Sequence, residues 1–256
     1  MTSVPYQRLE LSLELDHRAP RGRIGLVALG TDFTAEDELR QMLPDGTALF
    51  TNRVENANPL TLDNLRRMEA DLTRAAAGIL PGRGIDVAIF ACTSGSAAIG
   101  DEIVEQRVQA AWPGIPVTNP LRAAAAAMKS LGRKRLSVLT PYIEEVSNKL
   151  AKEFSRRDLI LTSLFGLDML DDIDIAMLPF DTIREAARRS VTGDEEALFI
   201  SCTATRAAQI VAELEQELGL PVLTSNQVMT WHALRLIGIE DAIEGFGEIF
   251  RTDLTG

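Results

Sequence analysis

The chain has few of the residues that support metal, disulfide or nucleotide chemistry. Its 256 residues include two cysteines and two histidines, and aromatic residues make up 5%. Two cysteines cannot form a disulfide framework, which favours a reducing, cytoplasmic location. A site of several histidines is excluded and no Cys-x-x-Cys pair is present, so we expect no bound metal. The chain also lacks a P-loop and a Gly-x-Gly-x-x-Gly motif, which leaves nucleotide binding without support.

Features of membrane and nucleic-acid partners are missing as well. No apolar run reaches the ~18 residues that span a bilayer, and the first residues lack the apolar core of a secretory signal. The net charge is −11 with no run of lysines or arginines, so we expect no nucleic-acid and no membrane partner. An apolar content of 46% instead indicates a globular protein with one large core or two modest ones.

The chain does contain one pattern twice. The segment from Asp86 to Gly95 is repeated from Glu196 to Thr205, and in both copies an apolar run ends at Cys-Thr. The two Cys-Thr pairs lie 110 positions apart. Two further segments, which begin at Arg23 and at Gly114, are repeated 112 and 105 positions later. Three matched segments in the same order indicate two similar half-domains.

Apolar runs of strand length alternate with helical patterns along the chain. This alternation is typical of parallel sheets covered by helices on both faces. We therefore predict an α/β fold with two pseudo-symmetric, Rossmann-like lobes and an active site between them. The strands are expected near 23–30, 47–52, 85–91, 115–118, 135–140, 158–164, 196–201 and 221–224. The helices are expected near 33–43, 61–80, 96–111, 120–132, 143–156, 181–191, 204–218 and 226–238.

The repeat also suggests where the chain divides. We expect an N-terminal extension, a first lobe, a second lobe and a C-terminal tail, at 1–22, 23–133, 134–240 and 241–256. We expect the last long helix to cross back and cover the first lobe. The unbroken alanine run Ala123–Ala127 permits close backbone approach, either to a neighbouring helix or to a dimer partner. We accordingly expect a homo-oligomer, a dimer or larger.

The two cysteines are the main candidates for catalytic residues. A free cysteine is commonly an inert core residue, and that interpretation has to be considered first. Here, however, Cys92 and Cys202 each end a strand, precede a threonine and a helical pattern, and occupy equivalent places in the repeat. Ligands of open parallel sheets bind beyond the carboxyl ends of the strands. Two facing lobes would therefore place the thiols on opposite walls of one cleft.

Polar residues next to the strand ends are candidates for substrate binding. Hydroxyls and consecutive amides at a helix start can hold a carboxylate, although ordinary N-capping requires the same residues. A tyrosine after a strand can present its phenol to the cleft or lie at the surface. The candidates are Thr31, Asp32, Thr93, Ser94, Tyr142, Thr203 and Ala204.

Other polar residues are expected to have structural roles. Asn119 and Asn226 follow repeated strands and are interpreted as helix caps. His232 lies in an apolar stretch and is interpreted as a packed helix residue. The acidic segment Asp168–Asp174 is predicted to be a loop or a helix start, and a solvated loop is the expected form.

These motifs resemble the Asp/Glu racemase superfamily. Within it, Ala91–Ser94, Thr140–Tyr142 and Ser201–Thr203 are similar to the branch of maleate cis–trans isomerases and arylmalonate decarboxylases. The opening from Arg23 to Asp32 is especially similar to the ectoine-utilisation members of that branch. The resemblance covers about residues 20–240.

The resemblance implies two lobes of four parallel strands, chemistry without a cofactor, and a carboxylate substrate between the lobes. It implies that Cys92 is the nucleophile, Cys202 the acid/base partner and Tyr142 a residue of the site. The isomerases of this branch use an asparagine after the first strand, but this chain has Thr31-Asp32 there. A second family asparagine has no clear match near Asp172.

The leading hypothesis is a cofactor-independent isomerase, either a racemase or a cis–trans isomerase, of a small mono- or dicarboxylate. Two thiols suit this chemistry because one group cannot serve both faces of a prochiral carbon. A cofactor-free decarboxylase of malonate-type acids is the first alternative, since it needs only one proton donor. A non-catalytic carboxylate-binding protein is the second, and it predicts thiols of ordinary reactivity.

Overall fold

A computed structural model describes residues 4–255. In this part of the chain, strands and helices alternate. The strands are β1 (Gly22–Leu29), β2 (Thr47–Val54), β3 (Val87–Phe90), β4 (Val117–Thr118), β5 (Arg135–Tyr142), β6 (Ile160–Met169), β7 (Ala197–Ile200) and β8 (Val222–Thr224). The helices are α1 (Ala35–Gln41), α2 (Leu62–Arg67), α3 (Glu69–Ala77), α4 (Thr93–Ile99), α5 (Asp101–Gln109), α6 (Pro120–Ser130), α7 (Glu144–Ser155), α8 (Asp172–Ala176), α9 (Phe180–Arg189), α10 (Val211–Leu218) and α11 (Ser225–Leu236). Two short 3-10 helices lie at Ala208–Ile210 and Glu248–Arg251.

The strands form two four-stranded sheets with the same internal order. The first sheet runs β2-β1-β3-β4 and the second runs β6-β5-β7-β8. Every strand pair is parallel. The predicted fold of two similar α/β lobes is therefore confirmed. The matching order also places β3 and β7, which carry the repeated motif, at equivalent positions in their sheets.

The central strands are buried on both faces. All four residues of Val87–Phe90 and all four of Ala197–Ile200 are buried. Because helices cover both sides of each sheet, the side chains of these strands are apolar without alternation. In β3 and β7 the polar side chains therefore follow the strand ends, where the site forms.

Three predicted helices differ from those observed. The helix expected over 61–80 is divided into α2 and α3 at Met68. The helix expected over 96–111 is divided into α4 and α5 at Gly100, whose φ of 101° lies outside the helical region. The second cysteine is not followed directly by a helix, since residues 203–207 are irregular and the helical chain begins with the 3-10 turn at Ala208.

The last long helix, α11, joins the two lobes. Thr224 and Gln227 form a capping box at its start, which satisfies the first amides of the helix. The helix packs against α6 of the first sheet's layer, where Ala123, Ala124 and Ala127 are buried and allow close approach. Its residues from Ser225 to Arg235 are all buried.

The chain ends contribute unequally to this core. Residues 4–21 have no regular structure up to the start of β1, and their leucines are exposed. At the other end, Ile249 and Phe250 are buried, and Trp231 Nε1 donates a hydrogen bond to the Thr252 carbonyl at 2.9 Å. Within residues 4–255, no helix is both long enough and apolar enough to cross a membrane.

Candidate active site

Cys92 lies at the end of β3 and is the N-cap residue of α4. Its Sγ accepts a hydrogen bond from the Gly95 amide at 3.1 Å, and Ser94 Oγ lies 3.6 Å away. A side chain at Gly95 is excluded, because a Cβ there would lie 2.7 Å from Met68 Cε and 2.8 Å from Cys92 Sγ. The motif therefore needs a glycine so that the helix start can reach the sulfur.

Cys202 follows β7 with an unusual backbone. Its φ of 87° lies in the left-handed region, which a residue with a side chain rarely adopts. Tyr142 and the Ala204 backbone lie near its thiol and favour the charged form, although burial outweighs both and raises the thiol pKa. Tyr142 is the last residue of β5, is 1% exposed, and lies with its hydroxyl 3.4 Å from Ser201 Oγ.

The fold brings the two cysteine motifs into contact. Thr203 Oγ1 donates to the carbonyl of Ala91, the residue before Cys92, at 3.3 Å. Thr93 Oγ1 lies 2.8 Å from Ser225 Oγ, which joins the start of α4 to the start of α11. Burial, followed by the neighbouring Cys202 and Cys92, raises the pKa of the Tyr142 phenol, so both cysteines lie near one side chain.

Asp172 reaches this site from α8. It is 4% exposed, and its Oδ2 accepts a hydrogen bond from Thr31 Oγ1 at 2.8 Å. Asn56 Nδ2 in turn donates to Thr31 Oγ1 at 2.9 Å. The helix start predicted in this acidic segment is found at Asp172, where α8 begins, but the expected solvation is wrong for the buried Asp172 carboxyl. Asp174, two residues further, is exposed as expected.

Asp32 is a second buried carboxyl of the site. Its Oδ1 accepts hydrogen bonds from the amides of Thr34 and Ala35 at 2.8 and 2.9 Å. Its Oδ2 is buried without a hydrogen bond of good geometry. The Thr203 hydroxyl nearby favours the charged form, but burial dominates and raises the pKa of Asp32.

A third carboxyl, Glu38 on α1, connects the lobes through Asn226. Asn226 Nδ2 donates to Glu38 Oε2 at 2.7 Å and to the Thr203 carbonyl at 2.8 Å. Asn226 is therefore not a helix cap, since Thr224 caps α11. Asn119 does cap α6, with its Oδ1 accepting from the amides of Leu121 and Arg122.

Both thiols are held neutral by their surroundings. Burial, followed by the negative charge of Asp172, raises the pKa of Cys92 to about 12. The same two causes raise the pKa of Cys202 well above its usual value. Burial also raises the pKa of Asp172 to about 6, although the Thr31 hydrogen bond opposes this change. At neutral pH, then, the site holds protonated thiols beside an ionised carboxyl.

Two loops near Asp172 are joined to each other. The loop after β2 and the loop after β6 are hydrogen-bonded, with the Leu60 amide donating to the Leu170 carbonyl at 2.9 Å. Asn58 Nδ2 also donates to Asp171 Oδ2 at 3.1 Å. Cys92 and Cys202 are only 3% and 5% exposed, so a ligand can reach the thiols only after the protein around them opens.

The hydroxyls of the predicted site residues are largely bonded within the protein. The Gly95 amide donates to Cys92 Sγ, while the hydroxyls of Thr31, Thr93 and Thr203 bond to Asp172, Ser225 and the Ala91 carbonyl. Substrate binding would therefore exchange these hydrogen bonds. Within residues 4–255, no three His, Cys, Asp or Glu side chains are grouped to hold a metal ion.

His232 lies outside this group. Its Nδ1 is 2.7 Å from Thr118 Oγ1, and burial lowers its pKa to about 4, so the ring is neutral at ordinary pH. The prediction of a packed helix residue is confirmed.

Known proteins share this architecture. The chain is 24% identical over 243 residues to the maleate isomerase of Nocardia farcinica, an alignment that covers 90% of this chain and 96% of that protein. A crystal structure of a maleate cis–trans isomerase from N. farcinica, a cysteine-to-serine mutant with a covalently bound succinylcysteine intermediate, superposes with a TM-score of 0.82 at 21% identity. That superposition covers 90% of this chain and 98% of the other.

A second enzyme class has the same fold. The liganded form of an arylmalonate decarboxylase double mutant, which exchanges a glycine for cysteine and a cysteine for serine, superposes with a TM-score of 0.80 at 22% identity. It covers 90% of this chain and 98% of the decarboxylase. The model of the arylmalonate decarboxylase family matches residues 39–250, which include both cysteine motifs. The chain thus belongs to the arylmalonate decarboxylase family, whose relatives found here include maleate isomerases.

Proposed function

We propose that the protein is an isomerase, a racemase or a cis–trans isomerase, of a small carboxylate, and that Cys92 and Cys202 carry the reaction. The observation that supports this most strongly is the meeting of two thiols at equivalent strand ends, beside one phenol and one carboxyl. A pair of thiols in one closed site can add or remove groups on two sides of a bound carbon.

In the cis–trans reaction, the Cys92 thiol first gives its proton to the carboxylate of the bound substrate, so that Cys92 acts as a thiolate and Cys202 as a thiol. The Cys92 sulfur forms a bond to one alkene carbon, and the electron pair of the double bond moves to the neighbouring carbon. Cys202 donates its proton to that carbon, which leaves a single bond that can rotate. Cys202 then takes a proton back, the double bond forms again, and the sulfur–carbon bond breaks. No electrons or atoms are gained overall.

In the racemase reaction, the same thiols exchange protons with one carbon. One thiolate removes the proton next to the carboxylate, and the opposite thiol returns a proton to the other face. The Gly95 amide stabilises a negative Cys92 sulfur, because it already donates to that thiol, and Ala204 favours the charged form of Cys202. Tyr142 can support Cys202 in the same way.

The roles of the cysteines are tested by replacing each with serine. We expect Cys92→Ser and Cys202→Ser to lower turnover separately by at least ~10²-fold, because a positioned proton donor contributes about that much. The assay follows the isomer ratio across a panel of cis-alkenoates and the loss of α-deuterium from chiral acids. Full turnover in either variant would remove the paired-thiol mechanism.

Decarboxylation is the second candidate, supported by the family model that matches most of the chain. That reaction needs one proton donor after carbon dioxide leaves, so one of the two serine variants would keep its activity. Measuring carbon dioxide release from aryl- and alkylmalonates in both variants separates this reaction from isomerisation.

The finer assignments rest on the sequence. The likeness of Arg23–Asp32 to EutA, the ectoine-utilisation protein, supports the proposal that the substrate arises during the breakdown of ectoine. The alanine run on α6 supported the proposal of a homo-oligomer, but three of its five alanines are buried inside the chain by packing of α6 and α11.

A further inference from the structure

The buried carboxyls near the thiols indicate which kind of substrate the proposed reaction takes. Asp172 and Asp32 lie close enough for each charge to raise the pKa of the Cys92 thiol, and the Asp32 charge acts on Asp172 as well. They are 4% and 3% exposed. Two buried carboxyls therefore line one side of the space near Cys92.

The hydrogen-bonding capacity of these carboxyls is not used up. Asp172 Oδ2 accepts from Thr31, and Asp32 Oδ1 accepts from two amides, but Asp32 Oδ2 is buried without a partner. A buried carboxylate oxygen without a hydrogen bond is costly, and a donor from a ligand would remove that cost. The unpartnered oxygen thus points to a ligand that donates hydrogen bonds.

The charges around Asp172 are not balanced by a cation. Those that act on it belong to Asp32 and Asp171, and both are negative. Arg53 acts on Asp32, but its guanidinium is bound to Glu36 and to the carbonyls of Leu29 and Asp32. A second carboxylate of a substrate would meet like charge here, at close range and away from water.

Resting on the proposed function, we infer that the substrate carries one carboxylate and, at its other end, a nitrogen–hydrogen donor that Asp172 and Asp32 bind. A carboxamide and an ammonium both supply such a donor. The hydroxyls of Thr93 and Ser94, beside Cys92 at the start of α4, suit the carboxylate end. The site then selects a half-amide or an amino acid over a dicarboxylate.

The test compares four cis ligands with the same carbon skeleton: maleate, maleamate, cis-γ-aminocrotonate and isocrotonate. Their dissociation constants are measured by calorimetry on the wild-type chain and on Asp172→Asn. The exposed Asp174→Asn on the same helix is the matched control. Protection of the wild-type thiols from iodoacetamide provides a second binding readout that does not depend on the variants.

We expect maleamate or cis-γ-aminocrotonate to bind the wild type at least about tenfold more tightly than maleate and isocrotonate. The tighter of the two identifies the donor as carboxamide or ammonium. Asp172→Asn should bring maleate to within about threefold of maleamate, because an amide no longer repels a carboxylate. Asp174→Asn should leave the ratio unchanged.

The inference is overturned if maleate binds the wild type as tightly as both nitrogen ligands, if isocrotonate matches them, or if none of the four binds. An unchanged ratio in a folded Asp172→Asn also overturns it. These results are separate from the test of the cysteines. A preference for maleate with both thiols required removes only this inference, whereas full turnover without a thiol removes only the proposed chemistry.

Discussion

At the scale of single residues, the site combines weakly acidic thiols with an ionised carboxyl. Because burial and Asp172 both raise the thiol pKa values, neither sulfur is a thiolate at rest. Any thiolate at this site has to form against both effects. The Gly95 amide, which donates to Cys92 Sγ, favours a negative sulfur there, and Ala204 favours the charged form of Cys202.

This electrostatic arrangement predicts the reactivity of the thiols. Asp172→Asn removes a negative charge that raises both thiol pKa values, so at a given pH more thiolate is present. We expect iodoacetamide to modify Cys92 and Cys202 several-fold faster in this variant than in the wild type between pH 7 and 9. Mass spectrometry of each cysteine peptide gives the two rates.

Asp174→Asn controls for the loss of net charge, because Asp174 is exposed on the same helix. Equal labelling rates in Asp172→Asn and the wild type would show that the Asp172 charge does not act on the sulfurs.

The sequence predicted part of this site and missed part of it. Cys92 and Cys202 could be placed together because the repeat puts both at the carboxyl ends of equivalent parallel strands, a relation that needs only topology. Asp172 could not be placed, because its position depends on the left-handed turn at Asp168 and on a contact with Thr31, 141 positions away. The only signal was the density of acidic residues around it, which is equally typical of a solvated loop.

At the scale of elements, α1 and α11 are held together by an unusual pair of side chains. Glu38 and Asn226 are separated by 188 positions and are 1% exposed each. Burial raises the pKa of Glu38 to about 8, although Asn226 and the amides of Ala208 and Gln209 favour the charged form. Glu38 is therefore mostly protonated in the folded protein at neutral pH.

The raised pKa of Glu38 makes the fold sensitive to alkali. A folded-state pKa of about 8 against an unfolded value near 4.5 means that the folded protein binds the extra proton. The stabilisation is complete below the unfolded value and is lost as the pH rises through about 8. We expect Glu38→Gln, which cannot ionise, to melt several degrees above the wild type at pH 9 and to lose that advantage near pH 5.

Thermal melts at a series of pH values measure this difference. Asp37→Asn is the control, because Asp37 is exposed on the same helix. A constant difference in Tm between Glu38→Gln and the wild type across this range would contradict a raised pKa.

At the scale of the whole molecule, one hydrophobic core extends through both lobes, and a smaller one lies within the second lobe. The helix α11 follows β8 of the second sheet but packs against α6 and α1 of the first. His232 on α11 contacts Thr118 on β4, and the ion pair between Arg157 and Asp101 links the lobes on another side. Removing either lobe would expose apolar surface on the other.

This shared packing predicts cooperative unfolding. We expect scanning calorimetry to show one transition for the full chain, with equal calorimetric and van't Hoff enthalpies, because α11 cannot unfold with one lobe alone. Gel filtration at several concentrations, run alongside, shows whether subunit dissociation contributes to the transition. Two resolved transitions would show that each lobe is stable by itself.

Most strands and helices could be predicted from the pattern of apolar residues, whereas the breaks within the predicted helices could not. The eight strands were expected within a few residues of their observed positions, since buried parallel strands are short apolar runs. The bend at Gly100 and the irregular chain at 203–207 depend on how the strand ends of the two lobes meet. A contact between strand ends of different lobes leaves no local sequence pattern from which it could be predicted.

The left-handed backbone of Cys202 lowers the stability of the fold, while its side chain supplies one of the two thiols. A non-glycine residue in such a conformation costs roughly 1–3 kcal/mol, and glycine would remove most of that penalty together with the sulfur. We therefore expect the Cys202→Gly variant to unfold at a higher denaturant concentration than the wild type, although it lacks the thiol.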